Sequence, residues 1–238
     1  MRTDRLDDIQ TSLDALAAGD LRPAIEQTRE TFGFANVSFL GLPASEGHAG
    51  VIAQNTYSRE WAERYAAEDY ILVDPVVHEA PRRIMPSHWH EFERRGRVRQ
   101  LFAEARMAGV GERGVTIPLR SHGGDTALFS VSGEGAEATW TGQVRESLPH
   151  LLLIGHTLFE HVEKRRGRTV PYTLGPRERE VLLWAARGKT AEDTADILNI
   201  ATPTVRHYLG QARAKLNALT IAHAVARALV HGLIPLPE

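Results

Sequence analysis

Residues 173–217 read TLGPREREVLLWAARGKTAEDTADILNIATPTVRHYLGQARAKLN, and this stretch decides the architecture of the C-terminal part of the chain. It contains three short helical patterns with almost no linker between them. Thr173 and Thr190 are placed to cap the first two helices, and Thr202 and Pro203 to cap and open the third. Two helices joined by about four residues, the second with a spare polar face, form a helix-turn-helix.

The third helical pattern has one apolar face and one polar face. Its apolar residues recur at spacings of four, three and four, which places them on one side of a helix: Val205, Leu209, Ala212 and Leu216. A polar face near a helix start suits base edges in the DNA major groove, whereas hydroxyl and basic groups suit phosphates. The residues that we predict to contact DNA are Lys189, Thr190, Thr202, Thr204, Val205, Arg206, His207, Gln211 and Arg213. Spacing alone fits a plain helical bundle with a solvated polar face equally well.

The same stretch closely resembles the C-terminal DNA-binding domain of LuxR-type transcription regulators. The matching segments are 174–182, 188–190, 195–198, 204–206, 212–216 and 222–225. The resemblance implies that this domain binds double-stranded DNA. Thr194 departs from the family pattern, which has isoleucine there, and Tyr208 and Gly210 stand where His, Lys or Arg are frequent. The operator sequence of a relative therefore does not transfer to this chain.

Composition and charge are consistent with two modest domains, of which the C-terminal one meets DNA. The chain has 238 residues and no cysteine, so it has no disulfides or thiolate chemistry. It has neither an apolar run long enough to span a membrane nor a signal peptide at its start, and we expect it in the cytoplasm. Residues 171–238 hold 8 Lys or Arg and 6 Asp or Glu, whereas residues 1–163 hold 16 and 24. Basic charge thus favours the C-terminal end, although this signal is weak.

Before residue 166, helical and strand patterns follow one another. The helical patterns lie at about 6–16, 21–32, 58–66, 91–108 and 141–164, the last interrupted near Pro149. The strand patterns lie at 35–42, 50–55, 114–119 and 126–132. Because a tight turn joins the last two strands, we expect an antiparallel sheet. The predicted fold class is α+β, with an N-terminal α/β/α sandwich around a central antiparallel sheet and a C-terminal all-α helix-turn-helix domain.

Aromatic residues and one aspartate stand out between residues 57 and 89. Tyr57, Trp61 and Tyr65 are spaced by four, so they lie along one helical face or just before it. Aromatic residues at helical spacing usually belong to a core, and Asp74 before a proline is often only a turn or a cap. Taken alone, these residues predict no ligand.

Together, however, these residues resemble the acyl-homoserine-lactone-binding domain of the same LuxR-type family. The matching pattern is Tyr57-x3-Trp61-x3-Tyr65-x8-Asp74-Pro75-x13-Trp89, followed by Gly114-x3-Pro118. With the C-terminal match, the resemblance covers nearly the whole chain. It implies a ligand-binding domain at residues 1–165, a linker at 166–172 and the DNA-binding domain at 173–238.

The resemblance also implies how a lactone would be held. In the family, the indole N–H at Trp61 donates to the ring carbonyl, and the carboxylate at Asp74 accepts from the amide N–H. The phenol at Tyr57 bonds the amide carbonyl, and Ser130 aligns more loosely with a position that often supplies a further hydroxyl. The residues expected to wall the lactone ring and the tail are Tyr65, Trp89, Val37, Phe39, Gly41, Val51, Val77 and Leu128. Ala62 stands where some receptors of 3-oxo signals have arginine, and the acyl or aryl group is left open.

These expectations describe a quorum-sensing transcription regulator that binds an N-acyl-homoserine lactone and reads a two-fold-related, inverted-repeat promoter site as a homodimer. Residues 220–232 and the long helix at 141–164 are candidate dimer surfaces, and RNA polymerase is a further candidate partner. We expect no cofactor, no metal and no catalytic residue, since His88 and His90 lack further ligands at suitable spacing. The main alternative is a regulator of the same kind that responds to a non-lactone metabolite. A phospho-dependent response regulator would need an alternating β/α receiver, and a lactone-cleaving enzyme would need a nucleophile or metal set, neither of which the sequence shows.

Overall fold

The computed structural model describes residues 20–42, 52–121, 124–165 and 172–235. The chain divides into two compact units, the first extending to Gly167 and the second formed mainly by the residues from Arg168 onward. The helix predicted at 6–16 and the wall residue Val51 lie outside the described residues. Among the described residues, no helix is both long and apolar enough to span a membrane.

The first unit is a sandwich of helices around one sheet. Its helices are α1 (Arg22–Phe32), α2 (Arg59–Ala67), α3 (Pro75–His78), α4 (Gly96–Met107) and α5 (Glu137–Arg165). Its strands are β1 (Asn36–Leu42), β2 (Ile52–Asn55), β3 (Ser87–His88), β4 (Arg113–Arg120) and β5 (Thr126–Gly133). Short 3₁₀ turns occupy Tyr70–Leu72, Ala80–Arg82 and Trp89–Glu91. The strand order is β2-β1-β5-β4-β3 and each neighbouring pair is antiparallel, which confirms the predicted fold class.

The two faces of the sheet bury different sets of side chains, because successive residues of a strand point to opposite sides. On one face, Val37, Phe129 and their neighbours pack against α1 and α5. Gly155 lets α5 approach closely, since a Cβ there would lie 3.1 Å from the Phe129 ring. On the other face, Leu40 and Leu128 pack with the aromatic residues of α2, α4 and the 3₁₀ turns. The sheet thus separates two apolar clusters, and the second one surrounds the candidate site.

Two helices of the first unit differ from the pattern-based prediction. Helix α5 runs unbroken from Glu137 to Arg165 through Pro149, because buried side chains on both sides of the proline hold both halves against the sheet. The helix predicted at 91–108 begins only at Gly96, since the backbone at Phe92 and Arg95 is extended. Trp89 and Phe92 are both buried and lie three residues apart, which resembles a helical pattern, although Trp89 begins a 3₁₀ turn and Phe92 follows it.

The described residues of the second unit form four helices. They are α6 (Pro176–Ala186), α7 (Ala191–Leu198), α8 (Thr202–Lys215) and α9 (Ile221–Val230). Between α7 and α8, Asn199 adopts a left-handed conformation with φ of 52°, which closes the tight corner of the helix-turn-helix. Thr190 caps α7 as predicted, but Gly175 and Ala201 occupy the cap positions assigned to Thr173 and Thr202. In both helices the nearby proline at the first or second position fixes where the helix begins.

A buried carboxylate ties the start of α6 to the end of α8. Glu178 is only 5% exposed, and its side chain accepts hydrogen bonds from the backbone N–H of Gly175 at 2.6 Å and from Lys215 Nζ at 2.8 Å. Burial favours the protonated form, but these two donors outweigh it and hold the pKa of Glu178 below its usual value. The carboxylate therefore stays ionised and bridges two helices that are distant in sequence.

We expect the substitution Glu178→Ala to destabilise the second unit by about 2–3 kcal/mol, because it removes a helix cap and leaves the Gly175 N–H unpaired. Amide hydrogen exchange in α6 and α8 of the full-length chain would measure the loss. Glu180→Ala is the matched control, since Glu180 pairs with Arg177 at the exposed surface, where an ion pair contributes under about 1 kcal/mol. Equal effects of the two substitutions would contradict the assigned role of Glu178.

Candidate functional site

The first unit contains a cavity of about 280 Å³ between the sheet and the helices α2, α3 and α4. Nine of the predicted ligand residues line it, namely Phe39, Tyr57, Trp61, Tyr65, Asp74, Val77, Trp89, Leu128 and Ser130. Strands β1, β2 and β5 supply one wall, and α2 to α4 supply the other. Such a mainly apolar cavity with a few convergent polar groups is the usual form of a small-molecule site.

The polar centre of the cavity is the carboxylate of Asp74. This residue caps α3, where its Oδ1 accepts from the N–H of Val76 at 2.8 Å, and Pro75 fixes the first helical position. Its Oδ2 accepts from the hydroxyl of Tyr65 at 2.9 Å. Burial raises the pKa of Asp74, and the hydrogen bonds from Val76 and Tyr65 oppose part of that rise. The carboxylate is thus a hydrogen-bond acceptor that the start of α3 holds in place at the wall of the mainly apolar cavity.

Two phenols and one indole stand beside Asp74, two of them on α2 and the third, Tyr57, just before it. Tyr57 donates from its hydroxyl to Ser38 Oγ at 3.3 Å, and burial raises the pKa of Tyr57 to about 12. Burial and the charge of Asp74 also raise the pKa of Tyr65. Both phenols therefore remain protonated hydrogen-bond donors at neutral pH. The ring of Trp61 lies edge-on to that of Tyr65, with 5.9 Å between ring centroids, and the Trp61 side chain is almost fully buried.

A second indole closes the cavity on the side of β4. The ring of Trp89 lies directly on Gly114, where a Cβ atom would come 2.1 Å from the ring. Its Nε1 donates to Thr116 Oγ1 at 2.9 Å, and the Thr116 hydroxyl lies 2.9 Å from Ser130 Oγ. Glycine at position 114 is therefore required for the Trp89 ring to lie flat against the strand.

Some of the β1 residues that we predicted to line the pocket for the ligand tail lie on the opposite face of the strand. Val37 belongs to the cluster under α1 and α5 and does not line the cavity, so that prediction is wrong. Phe39 contributes to the cavity wall, but it also packs in that opposite cluster. The residues that face the cavity from this strand are Ser38 and Leu40, which no sequence pattern singled out. Their alternation with Val37 and Phe39 was a usable signal, but it does not reveal which face encloses a ligand.

The predicted DNA-contacting residues lie around α7 and α8, and most of them reach solvent. Those that are exposed are Lys189, Thr190, Arg206, His207, Gln211 and Arg213, and Thr202 and Thr204 are partly exposed. Val205 is fully buried against Val181 and Ala195, so the prediction of a side-chain contact with DNA is wrong for this residue. Arg206 forms an ion pair with Glu192 of α7, and Thr190 accepts the N–H of Asp193 as a helix cap. The exposed side of α8 thus presents a row of polar and basic groups.

A sandwich that encloses an apolar cavity, followed by a helix-turn-helix, defines the class of ligand-responsive DNA-binding regulators. Comparison with known proteins gives the family. Residues 18–162 match the autoinducer binding domain, and residues 172–228 match the bacterial regulatory proteins of the luxR family. The chain belongs to the LuxR family of quorum-sensing transcription regulators, a family of regulators and not of enzymes.

Individual relatives agree with this assignment over nearly the full length. The chain is 30% identical to the transcriptional activator protein BjaR1 of Bradyrhizobium diazoefficiens, over 90% of this chain and 89% of BjaR1. It is also 30% identical to the HTH-type quorum sensing-dependent transcriptional regulator RpaR of Rhodopseudomonas palustris, over 94% of this chain and 93% of RpaR. The crystal structure of Escherichia coli SdiA shares the fold, with a TM-score of 0.59 at 20% identity over 99% of this chain and all of SdiA.

Proposed function

We propose that the cavity of the first unit binds an N-acyl-homoserine lactone, and that binding enables the second unit to regulate transcription from DNA. The observation that carries this proposal is the half-buried carboxylate of Asp74, which is held at the cavity wall beside the donors Tyr57 and Trp61. An acyl-homoserine lactone offers one amide N–H for a carboxylate and two carbonyls for such donors. Its apolar tail would occupy the rest of the cavity between the sheet and α4.

The alternative is a non-lactone small molecule bound in the same cavity by the same regulator. The presence of Trp61, Tyr65 and Asp74 together favours the lactone, because a ligand without an amide N–H would leave the half-buried Asp74 carboxylate without its added donor. A site whose polar group lacks the hydrogen bond that the proper ligand supplies discriminates strongly against ligands that cannot supply it.

For the second unit we propose two partners, DNA and a second copy of the chain. We infer that α8 enters the DNA major groove through its exposed side, and that a homodimer reads an inverted-repeat promoter site. The domain boundaries at 1–165, 166–172 and 173–238 also stay proposals, and they are consistent with the matched ranges 18–162 and 172–228. RNA polymerase as a further partner and a cytoplasmic location belong to the same proposal.

The deciding experiment is a thermal-unfolding series of the full-length chain with N-acyl-homoserine lactones that differ in tail length and in 3-oxo substitution. A ligand at a hundredfold excess over its dissociation constant stabilises the folded state by about 2.7 kcal/mol, so the unfolding midpoint should rise. The ring-opened acyl-homoserines are matched controls, because they keep the tail and the amide but lose the lactone. A midpoint that responds to no lactone of the panel would exclude the proposed ligand class.

Lactone binding should weaken as the pH falls from neutral into the acidic range. Burial raises the folded-state pKa of Asp74 above its ordinary value of 3.8, so Asp74 contributes stability at low pH that is lost as the pH rises through the raised pKa. A lactone amide needs the ionised carboxylate, and its affinity therefore grows over the same pH interval. The lactone-induced rise of the unfolding midpoint, measured across this range, should increase with pH in the wild type. In Asp74→Asn this increase should be absent; a persisting increase would assign the titration to another group.

The substitution Arg206→Ala should weaken DNA binding of the lactone-bound protein about tenfold to a hundredfold, because Arg206 is an exposed cation near the start of α8. Fluorescence anisotropy with a DNA site selected from a random library would measure the loss at several salt concentrations. A reduced slope of affinity against salt would assign Arg206 to a phosphate, and an unchanged slope with relaxed sequence preference would assign it to a base. Arg177→Ala on α6 is the control, and an equal effect there would show that only net charge matters.

A further inference from the structure

A second, smaller pocket of the first unit lies beside Trp89, where β4 begins. It has a volume of about 90 Å³ and is lined by His90, Arg94, Glu112, Arg113, Gly114 and Trp140. It shares no lining residue with the larger cavity, but Gly114 also bears the ring of Trp89, which lines that cavity. Because one water molecule takes up about 30 Å³ in the liquid, the pocket has room for about three waters or for one small ion.

Arg94 brings a poorly solvated charge to this pocket. The residue is half-buried, and its Nε is wholly buried with no hydrogen-bond partner among the described residues. One terminal N–H donates to the carbonyl oxygen of Trp89 at 3.4 Å, and the guanidinium carbon lies 4.2 Å from the centre of the Phe102 ring. Burial lowers the pKa of Arg94, although a guanidinium still stays charged at neutral pH. A counter-charge in the pocket would therefore offset the cost of holding this cation away from water.

The other charged groups around the pocket leave it with an excess of positive charge. Arg113 is half-buried, and its Nε donates to the carbonyl oxygen of Gly135 at 3.2 Å. Within the described part of the chain, neither Arg94 nor Arg113 forms an ion pair. Glu112 supplies one negative charge from an exposed position, against the two arginines. The planar guanidinium group matches the oxygens of carboxylates and phosphates, so the pocket has the chemistry of an oxyanion site.

We propose that this pocket binds a small oxyanion, such as inorganic phosphate or a short aliphatic carboxylate, through the terminal N–H groups of Arg94 and Arg113. The volume of the pocket sets the size limit, since it admits an ion of a few non-hydrogen atoms and excludes a nucleotide. The anion would neutralise the half-buried charge of Arg94, which no described carboxylate does.

A bound anion would act on the larger cavity through Arg94. This residue contacts the ring of Phe102 and the backbone of Trp89, and both aromatic residues line that cavity. The two rings also contact each other, with 6.0 Å between their centroids. By holding Arg94 against them, the anion would keep this wall of the cavity in place. This link rests on the proposed lactone function, whereas anion binding itself does not.

The first experiment measures the unfolding midpoint of the full-length, lactone-free chain while sodium phosphate or sodium acetate replaces sodium chloride at constant ionic strength and neutral pH. Phosphate also stabilises proteins without a site, because it is excluded from their surface. A site is therefore shown only by a rise of the midpoint that saturates with concentration. The phosphate and acetate series decide which oxyanion is preferred. A rise that never saturates, or no rise with either anion, would overturn the proposal.

Variants locate the site. Arg94→Gln and Arg113→Gln should each weaken binding of the preferred oxyanion about tenfold to a hundredfold, because each removes a hydrogen bond between charged groups. Glu112→Gln should act in the opposite direction and strengthen binding roughly twofold to fivefold, since an exposed like charge is removed. Arg106→Gln is the matched control, because Arg106 is an exposed arginine of α4 that does not line the pocket.

The opposite sign expected for Glu112→Gln separates anion binding from a merely structural role of the arginines. If Arg94→Gln does not fold, Arg113→Gln and Glu112→Gln still decide. Dissociation constants equal to that of Arg106→Gln in Arg113→Gln and Glu112→Gln would show a general salt effect only and would overturn the site.

The second experiment tests the link to the larger cavity. Lactone dissociation constants of the wild type, measured with and without a saturating amount of the preferred oxyanion, should differ about fivefold, at the lower end of the usual range for coupled sites. In Arg94→Gln the oxyanion should leave lactone affinity unchanged. No difference in the wild type would overturn the link and leave the anion site standing. If no lactone of the panel binds, the proposed function and the link fail together, and the anion site is judged by the first experiment alone.

Discussion

The substitution Asp74→Asn is expected to weaken lactone binding by about a hundredfold, with little change in the stability of the unliganded protein. The Val76 N–H needs the remaining side-chain oxygen as its acceptor, so the new NH₂ group must turn toward Tyr65 and the cavity. There it would meet the amide N–H of the lactone, donor against donor. A hydrogen bond to a charged group contributes about 1.5–3 kcal/mol, and an unpaired ligand donor adds to the loss.

The unliganded protein should tolerate this change because two effects on its stability oppose each other. The cap bond to Val76 is kept by the remaining oxygen. The hydrogen bond from the Tyr65 hydroxyl to the charged carboxylate is lost, but the unfavourable burial of that charge, visible in the raised pKa of Asp74, disappears as well. Lactone titrations of the unfolding midpoint measure both quantities in one experiment. Asp69→Asn is the matched control, since Asp69 is exposed at the end of α2 and makes no side-chain cap bond. Wild-type affinity in Asp74→Asn would place the ligand amide elsewhere.

Local signals in the sequence were sufficient for the elements and for the polar centre of the site. Thr190 caps helix α7 as predicted, because a cap needs only its own side chain and the next turn, although Gly175 and Ala201 take the cap positions assigned to Thr173 and Thr202. The spacing of Tyr57, Trp61 and Tyr65 likewise placed these residues together at the cavity, since α2 carries two of them and begins just after the third.

The errors at the site arise where the outcome depends on distant parts of the chain. Strand β1 is covered on both faces, so its residues are buried or half-buried throughout, and hydrophobicity alone does not distinguish the side of Val37 from that of Ser38. Ser38, Ser130 and Thr116 lie side by side across β1, β5 and β4 because of the strand register, which long-range pairing sets. At Pro149 the local signal itself is misleading. Proline usually breaks a helix, but packing against the sheet keeps α5 unbroken there.

The substitution Gly114→Ala is expected to destabilise the first unit by about 3 kcal/mol and to abolish the lactone response. Its Cβ would lie 2.1 Å from the Trp89 ring, and a clash with a buried indole costs about 1–3 kcal/mol or more even after the surroundings shift. Because the ring must move, the bond from Trp89 to Thr116 would also be lost. Gly142→Ala is the control: nothing lies within 4 Å of its Cβ position in α5, so alanine should stabilise that helix by up to about 1 kcal/mol.

A second substitution separates the clash from the function of the indole. In Gly114→Ala combined with Trp89→Leu, the smaller side chain removes the overlap, so the double variant should be more stable than the sum of the two single losses predicts. It should nevertheless fail to respond to lactones, because no indole remains to close the cavity and to donate to Thr116. Urea unfolding gives the coupling free energy, and lactone titration gives the response. Additive losses would show that Gly114 and Trp89 do not contact each other, and a restored lactone response would show that the Trp89 indole is dispensable for binding.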